Sequence, residues 1–188
     1  MSNATDLTMA GGNNDIGTVT TATNVTMTDG TNNFTGPVTA DDVLINDGNN
    51  SFSSLVTADD VLISAGTNNL AAVTALNGMP ITGGENILDG DFTSSAGGLS
   101  FNGGKNVIKG SRTISTSAAT VITGAEVALG AGANFAIDQD LTINSAGTLL
   151  LLNDATVYLA SNALIVNHDG LLDIDKSQLA ITAFRRHS

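Results

Sequence analysis

The 188-residue chain has no cysteine and no tryptophan, one tyrosine and only two prolines. Without thiols there are no disulfides, no thiolate nucleophile and no Cys-ligated metal, although the redox compartment stays open. Charged residues make up 13% and aromatics 4%. Low charge joined to abundant Gly, Asn and Thr argues against a helical bundle, because those residues weaken helices and favour turns and strands. A hydrophobic share of 41% is too high for a disordered chain. No basic residue precedes Lys105, whereas residues 1–104 carry 11 acidic groups, and the net charge is −12. That half repels phosphate, so neither nucleic acid nor an anionic membrane is an expected partner. No purely apolar run is longer than the four residues Leu149–Leu152, far too short to span a bilayer. The N-terminal MSNATDLTMAGGNN lacks a basic and an apolar region, so no secretory signal is expected there. The chain is expected to be made in the cytoplasm, or to be a trimmed form.

What is present in quantity is Thr (24 residues), Gly (21) and Asn (20), and they recur in order. VTADDVLI stands at 38–45 and again at 56–63, an offset of 18. The same spacing generates repeats 2–19, 20–37, 38–55, 56–73 and 74–91, then 94–111 after a two-residue insertion. Apolar columns run through them: Leu7, Val25, Val43, Val61, Met79, Leu99; Met9, Met27, Ile45, Ile63, Ile81, Phe101; and Ile16, Phe34, Phe52, Leu70, Leu88, Ile108. A small-residue column holds Ala4, Ala22, Ala40 and Ala58. Two further columns are Gly12, Gly30, Gly48, Gly66, Gly84, Gly104 and Asn14, Asn32, Asn50, Asn68, Asn86, Asn106.

Apolar residues two apart have strand periodicity. An invariant glycine suits a turn with positive φ. Asparagines at one height in stacked coils can hydrogen-bond along the stack. One 18-residue unit cannot bury its own apolar face, so the expected fold is all-β, a parallel β-solenoid (β-helix) whose stacked coils share one core. Beyond 111 the spacing changes. The pairs Val127/Leu129, Phe135/Ile137, Leu141/Ile143, Leu149/Leu151, Val157/Leu159, Leu164/Val166, Leu172/Ile174 and Leu179/Ile181 recur. Every third pair lies 22 or 23 residues on, which gives three short strands per wider coil. The expected organisation is thus a solenoid of six coils over 2–111, a transition over 112–120, a second solenoid segment over 121–183 and a basic tail, 184–188. Pro80 lies between two apolar columns, so its strand should be an edge or locally distorted. Eighteen is also three hexapeptides. Val19, Val25, Pro37, Val43, Leu55, Val61, Val73 and Met79 fit a six-residue grid, with Asn13, Thr31, Asn49 and Thr67 at every third place. A left-handed coil with one open side, or an intertwined three-chain solenoid, is compatible with that grid.

Several groups can carry chemistry. Asp6, Asn24, Asp42 and Asp60 share one column, with Asp41 and Asp59 beside it. Carboxylates on neighbouring coils repel, so either solvent screens them or a cation such as calcium bridges Asp41, Asp42, Asp59 and Asp60. Gly11–Asp15 distantly matches a glycine-aspartate calcium repeat that the sister coils do not restore. The pairs Asp138/Asp140 and Asp173/Asp175 have the spacing of two outward carboxylates on one strand. Such pairs can serve glycoside cleavage, or simply form a polar column. His168 and His187 belong to no catalytic or metal spacing. A flat ice-binding array would need Thr-x-Thr in every coil. Thr26/Thr28 is followed by Leu44/Asn46 and Leu62/Ser64. Arg185 and Arg186 form a basic tip suited to an acidic docking surface.

Gly-, Asn- and Thr-rich solenoid coils without cysteine resemble the shafts of bacteriophage fibres, tailspikes and capsid decoration proteins. The resemblance implies a homotrimeric, non-enzymatic structural protein on the virion surface, anchored to a capsid or tail protein. Outside a virus the expected location is extracellular. The alternatives are an adhesin that binds cell-surface glycan and a polysaccharide-active β-helix enzyme.

Overall fold

The computed structural model describes residues 6–174 and 178–186. Among them the regular elements are all strands, joined in one sheet, and every pairing is parallel. Each short strand pairs with the third strand after it. Asn49–Phe52 pairs with Thr67–Leu70, which pairs with Glu85–Leu88, then Lys105–Ile108, Glu126–Leu129, Thr148–Leu151 and Leu171–Ile174. Two parallel series run beside this one, so the chain winds around three faces. It is the expected parallel β-solenoid, of about nine turns of about 19 residues. At the usual interstrand spacing the stack is about 40 Å long. The ladder joins consecutive coils of a single chain, unlike that of an intertwined three-chain solenoid.

Each face turns one pair of residues two apart toward the axis. In one coil these are Val38/Ala40, Val43/Ile45 and Asn50/Phe52; in the next, Val56/Ala58, Val61/Ile63 and Asn68/Leu70. Alternation in a strand sends the residue between each pair outward. Stacking aligns like with like, and the Phe34 and Phe52 rings lie parallel with centroids 4.5 Å apart. The inward side chains form one continuous apolar core from Met9 to Val166. On the six-residue grid Val19, Val25, Val43, Val61, Val73 and Met79 are buried, but Pro37 and Leu55 are exposed. Val38 and Val56, one residue on, take the inward places. The coil is therefore closed on three sides. Asn13, Thr31, Asn49 and Thr67 lie outside a face whose inner positions are filled.

Growth in coil length is confined to the corners. The inward row Phe52, Leu70, Leu88, Ile108, Leu129, Leu151 is unbroken, and Ile174 takes the next rung, exposed. Hydrogen-bonded neighbours stand 18 residues apart at Asn50–Asn68, 20 at Asn86–Asn106, 21 at Thr123–Asn144 and 23 at Asn144–Asn167. Residues 112–120 carry the end of strand Ser111–Thr116 and the start of Thr120–Ile122, which pair with strands on both sides. Pro80 sits in an inner strand, not at an edge. Lacking an N–H, it leaves the Met79–Ile81 strand a single paired rung, Ile63 with Ile81, toward the preceding coil. Pairing toward the following coil is complete over Met79, Pro80 and Ile81.

The glycine column is doubly constrained. Gly66 has φ +86°, and a Cβ there would lie 2.5 Å from the Gly48 carbonyl oxygen of the preceding coil. Gly132 has φ +70° with open space around it. Gly132→Ala should therefore cost only the backbone term, about 1 kcal/mol. Gly66→Ala should cost clearly more, about 2–4 kcal/mol, because the coils must also part. Urea unfolding of both variants checks the order; equal costs would contradict the close-approach argument.

Candidate functional site

The asparagine column lies inside the coil. Asn32, Asn50, Asn68, Asn86 and Asn106 are at most 3% exposed. A buried primary amide is costly unless its donors are used. Here one Nδ2 hydrogen runs along the axis. Asn14 donates to Asn32 Oδ1 at 2.8 Å, Asn32 to Asn50 at 2.8 Å, Asn50 to Asn68 at 2.8 Å, Asn68 to Asn86 at 2.8 Å, and Asn86 to Asn106 at 2.9 Å. The other hydrogen returns to the carbonyl three residues back, as from Asn50 to Asp47 at 3.0 Å and Asn68 to Ala65 at 3.0 Å. That carbonyl belongs to the residue just before the positive-φ glycine, so the two columns form one device. Val127 occupies the next place in the row, and Asn106 ends the ladder on the Glu126 carbonyl at 3.1 Å.

The acidic column is aligned as the repeat implies. Asp6, Asn24, Asp42 and Asp60 stand on successive rungs. Asp6 accepts from Asn24 Nδ2 at 2.6 Å, and Asp60 from Asn77 Nδ2 at 3.1 Å. The Asp59 N–H donates to the Asp41 carbonyl at 2.7 Å. Partial desolvation, then the charges of Asp60, Asp41 and Asp59, raise the Asp42 carboxyl above its ordinary value of 3.8. Among the described residues no group of three or more His, Asp or Glu side chains is placed to hold a metal ion.

The paired carboxylates point to different coils. Asp138 accepts from the Thr116 N–H at 2.9 Å and the Ser115 hydroxyl at 2.8 Å, toward the preceding coil. Asp140 accepts from the Ala163 N–H at 2.8 Å, toward the following one. Each thus supplies an acceptor to backbone that the local ladder leaves free. Asp173 is exposed, and its partner Asp175 lies outside the described residues. His168 is exposed and pairs with Asp169 at 2.9 Å; His187 lies outside the described residues. The backbone at Arg185 and Arg186 pairs with Ile165 and Val166, so residues 184–186 of the expected tail belong to a strand. Their side chains lie outside the described set.

Two outer surfaces escaped the sequence reading. The outside of the asparagine face forms a shallow trough of about 450 Å³, lined by amides and hydroxyls such as Asn33, Asn49, Ser51, Thr67 and Asn69. On the adjoining face Thr39, Thr57, Thr74, Thr93 and Ser115 align on consecutive rungs. The signal for that row was the repeated V-T-A at 38–40, 56–58 and 73–75. The face carrying Thr26 continues with Leu44 and Leu62, so no Thr-x-Thr array forms there.

Because the folded state raises the Asp42 pKa, ionisation there opposes folding. The stability this site contributes is complete below pH 3.8 and falls as pH rises through the folded value. Asp42→Asn should therefore raise the melting temperature at pH 7 and leave it unchanged near pH 3. Thermal melts of both proteins at the two pH values check this, and a less stable variant at pH 7 would contradict it.

No protein-family model matches this chain, and no curated protein or solved structure matches it significantly, so its fold and side-chain geometry are the grounds for a functional reading.

Proposed function

We propose that the chain is a non-enzymatic structural element of a virus particle, a stiff rod of the bacteriophage fibre or capsid-decoration kind, docked on another particle protein. The observation that carries this reading is the continuous axial ladder. About nine coils are tied rung to rung by backbone hydrogen bonds, and one core runs from Met9 to Val166, so bending the rod means parting coils along their whole perimeter. The acidic excess of the first half keeps neighbouring rods apart. Composition and repeat character, which resemble those of phage shafts, support the same reading. A second reading, binding of cell-surface glycan, draws on the shallow trough outside the asparagine face, whose largely apolar surface is edged by amides and hydroxyls such as those of Asn33, Asn69 and Ser51.

Fractionation of a lysate rich in the particles, followed by immunogold microscopy, tests the first reading. The protein should sediment with particles and label a fixed location on them. Recovery in the soluble fraction alone would overturn it. Glycan-array binding lost on Asn33→Ala and Asn69→Ala would favour the second reading instead.

A further inference from the structure

The outer side of the asparagine face changes character along the rod. Its middle column reads Asp15, Asn33, Ser51 and Asn69 over the first four rungs. It then becomes Ile87, Val107, Ala128 and Leu150, before Asp173 closes it. Four apolar residues therefore take the outward positions of consecutive rungs, Ile87, Val107 and Leu150 half-buried and Ala128 buried. Ala128 is only 7% exposed although it points away from the core, because its neighbours flank it. Scattered exposed apolar residues need no explanation, but a contiguous stripe marks a contact surface.

The column beside the stripe carries Glu85, Lys105 and Glu126 on successive rungs. Among the described residues the Lys or Arg ion pair is Arg112–Asp89, so Lys105 closes on neither glutamate. We propose that this stripe docks on a second copy of the chain in antiparallel orientation, about a twofold axis crossing the face between the Lys105 and Glu126 rungs. That axis lays Val107 on the partner's Ala128, and Ile87 on the partner's Leu150. It sets Lys105 against the partner's Glu126 twice over, as an isologous interface requires.

The charges select this arrangement. Parallel copies around an axis along the rod would bring residues of the same rung together, Glu85 facing Asp89 and Lys105 facing Lys109, like against like. The face carrying Leu44 and Leu62 offers a competing apolar column, but Asp42 and Asp60 flank it, and a twofold there would oppose carboxylates. The six rungs that overlap make a patch of only a few hundred Å² per copy, below the roughly 800 Å² typical of a stable partner surface. The dimer is accordingly weak and salt-sensitive.

Sedimentation velocity on the full chain, from micromolar to millimolar concentration, tests the proposal. A monomer–dimer equilibrium is expected. Lys105→Glu and Glu126→Lys should each weaken it by about tenfold or more, since each acts twice. The double variant, which restores opposite charges, should recover most of that loss. Val107→Lys should abolish association while circular dichroism stays unchanged, because the side chain lies outside the core. A monomer throughout, a trimer, or a dimer indifferent to these substitutions would overturn the proposal. The rod reading does not depend on this result.

Discussion

Everything in the first six coils depends on how a buried amide is satisfied. An asparagine turned into an apolar core is tolerable only if both Nδ2 hydrogens find acceptors. One acceptor is the next coil's asparagine; the other is a carbonyl presented by the glycine turn. Each coil must therefore keep its Asn, its Gly and the spacing between them, or its neighbour's amide is orphaned. Register errors are penalised in the same way, since a slip of one residue would turn the amides out and polar surface in. The ladder thus specifies alignment along the axis, which the near-uniform apolar columns alone would leave loose.

Where the row changes from Asn106 to Val127, that demand ends, and the row continues with the apolar side chains Val127 and Leu149. Coil length rises over the same region, with the added residues placed at corners while each face keeps two inward positions. Corners face solvent and tolerate insertion, whereas an extra residue within a face would flip every later side chain. Polar groups that the wider corners leave without ladder partners are taken up locally: Ser94 bonds the Leu76 carbonyl, and Asp138 and Asp140 bond backbone N–H groups of adjacent coils. The outcome is one core of changing girth in a single ladder.

Much of this was legible in the sequence because a constant offset of 18 makes physical neighbours visible by inspection. Asp42 beside Asp60 and Asn50 beside Asn68 follow directly from it. The third face was harder to see. Its inner residues include small ones such as Ala40, Ala58 and Ala75, and one residue fewer between Leu70 and Val73 puts Ala75 rather than Leu76 in the column. Leu76 is left 43% exposed. The hydrogen bonds of Asp138 and Asp140 were hidden because they span 22 and 23 residues across corners whose length varies. The apolar stripe from Ile87 to Leu150 was hidden likewise, since its members stand 20 to 22 residues apart and alternate with core positions.

The central claim is that the buried amides are locked along the axis, and side-chain hydrogen exchange measured by NMR tests it most directly. The Nδ2 hydrogens of Asn32, Asn50, Asn68 and Asn86 should exchange only with opening of the coils, at rates matching the most protected backbone amides. Those of the outward Asn33, Asn49 and Asn69 should exchange orders of magnitude faster. Equal exchange in the two sets would contradict the account.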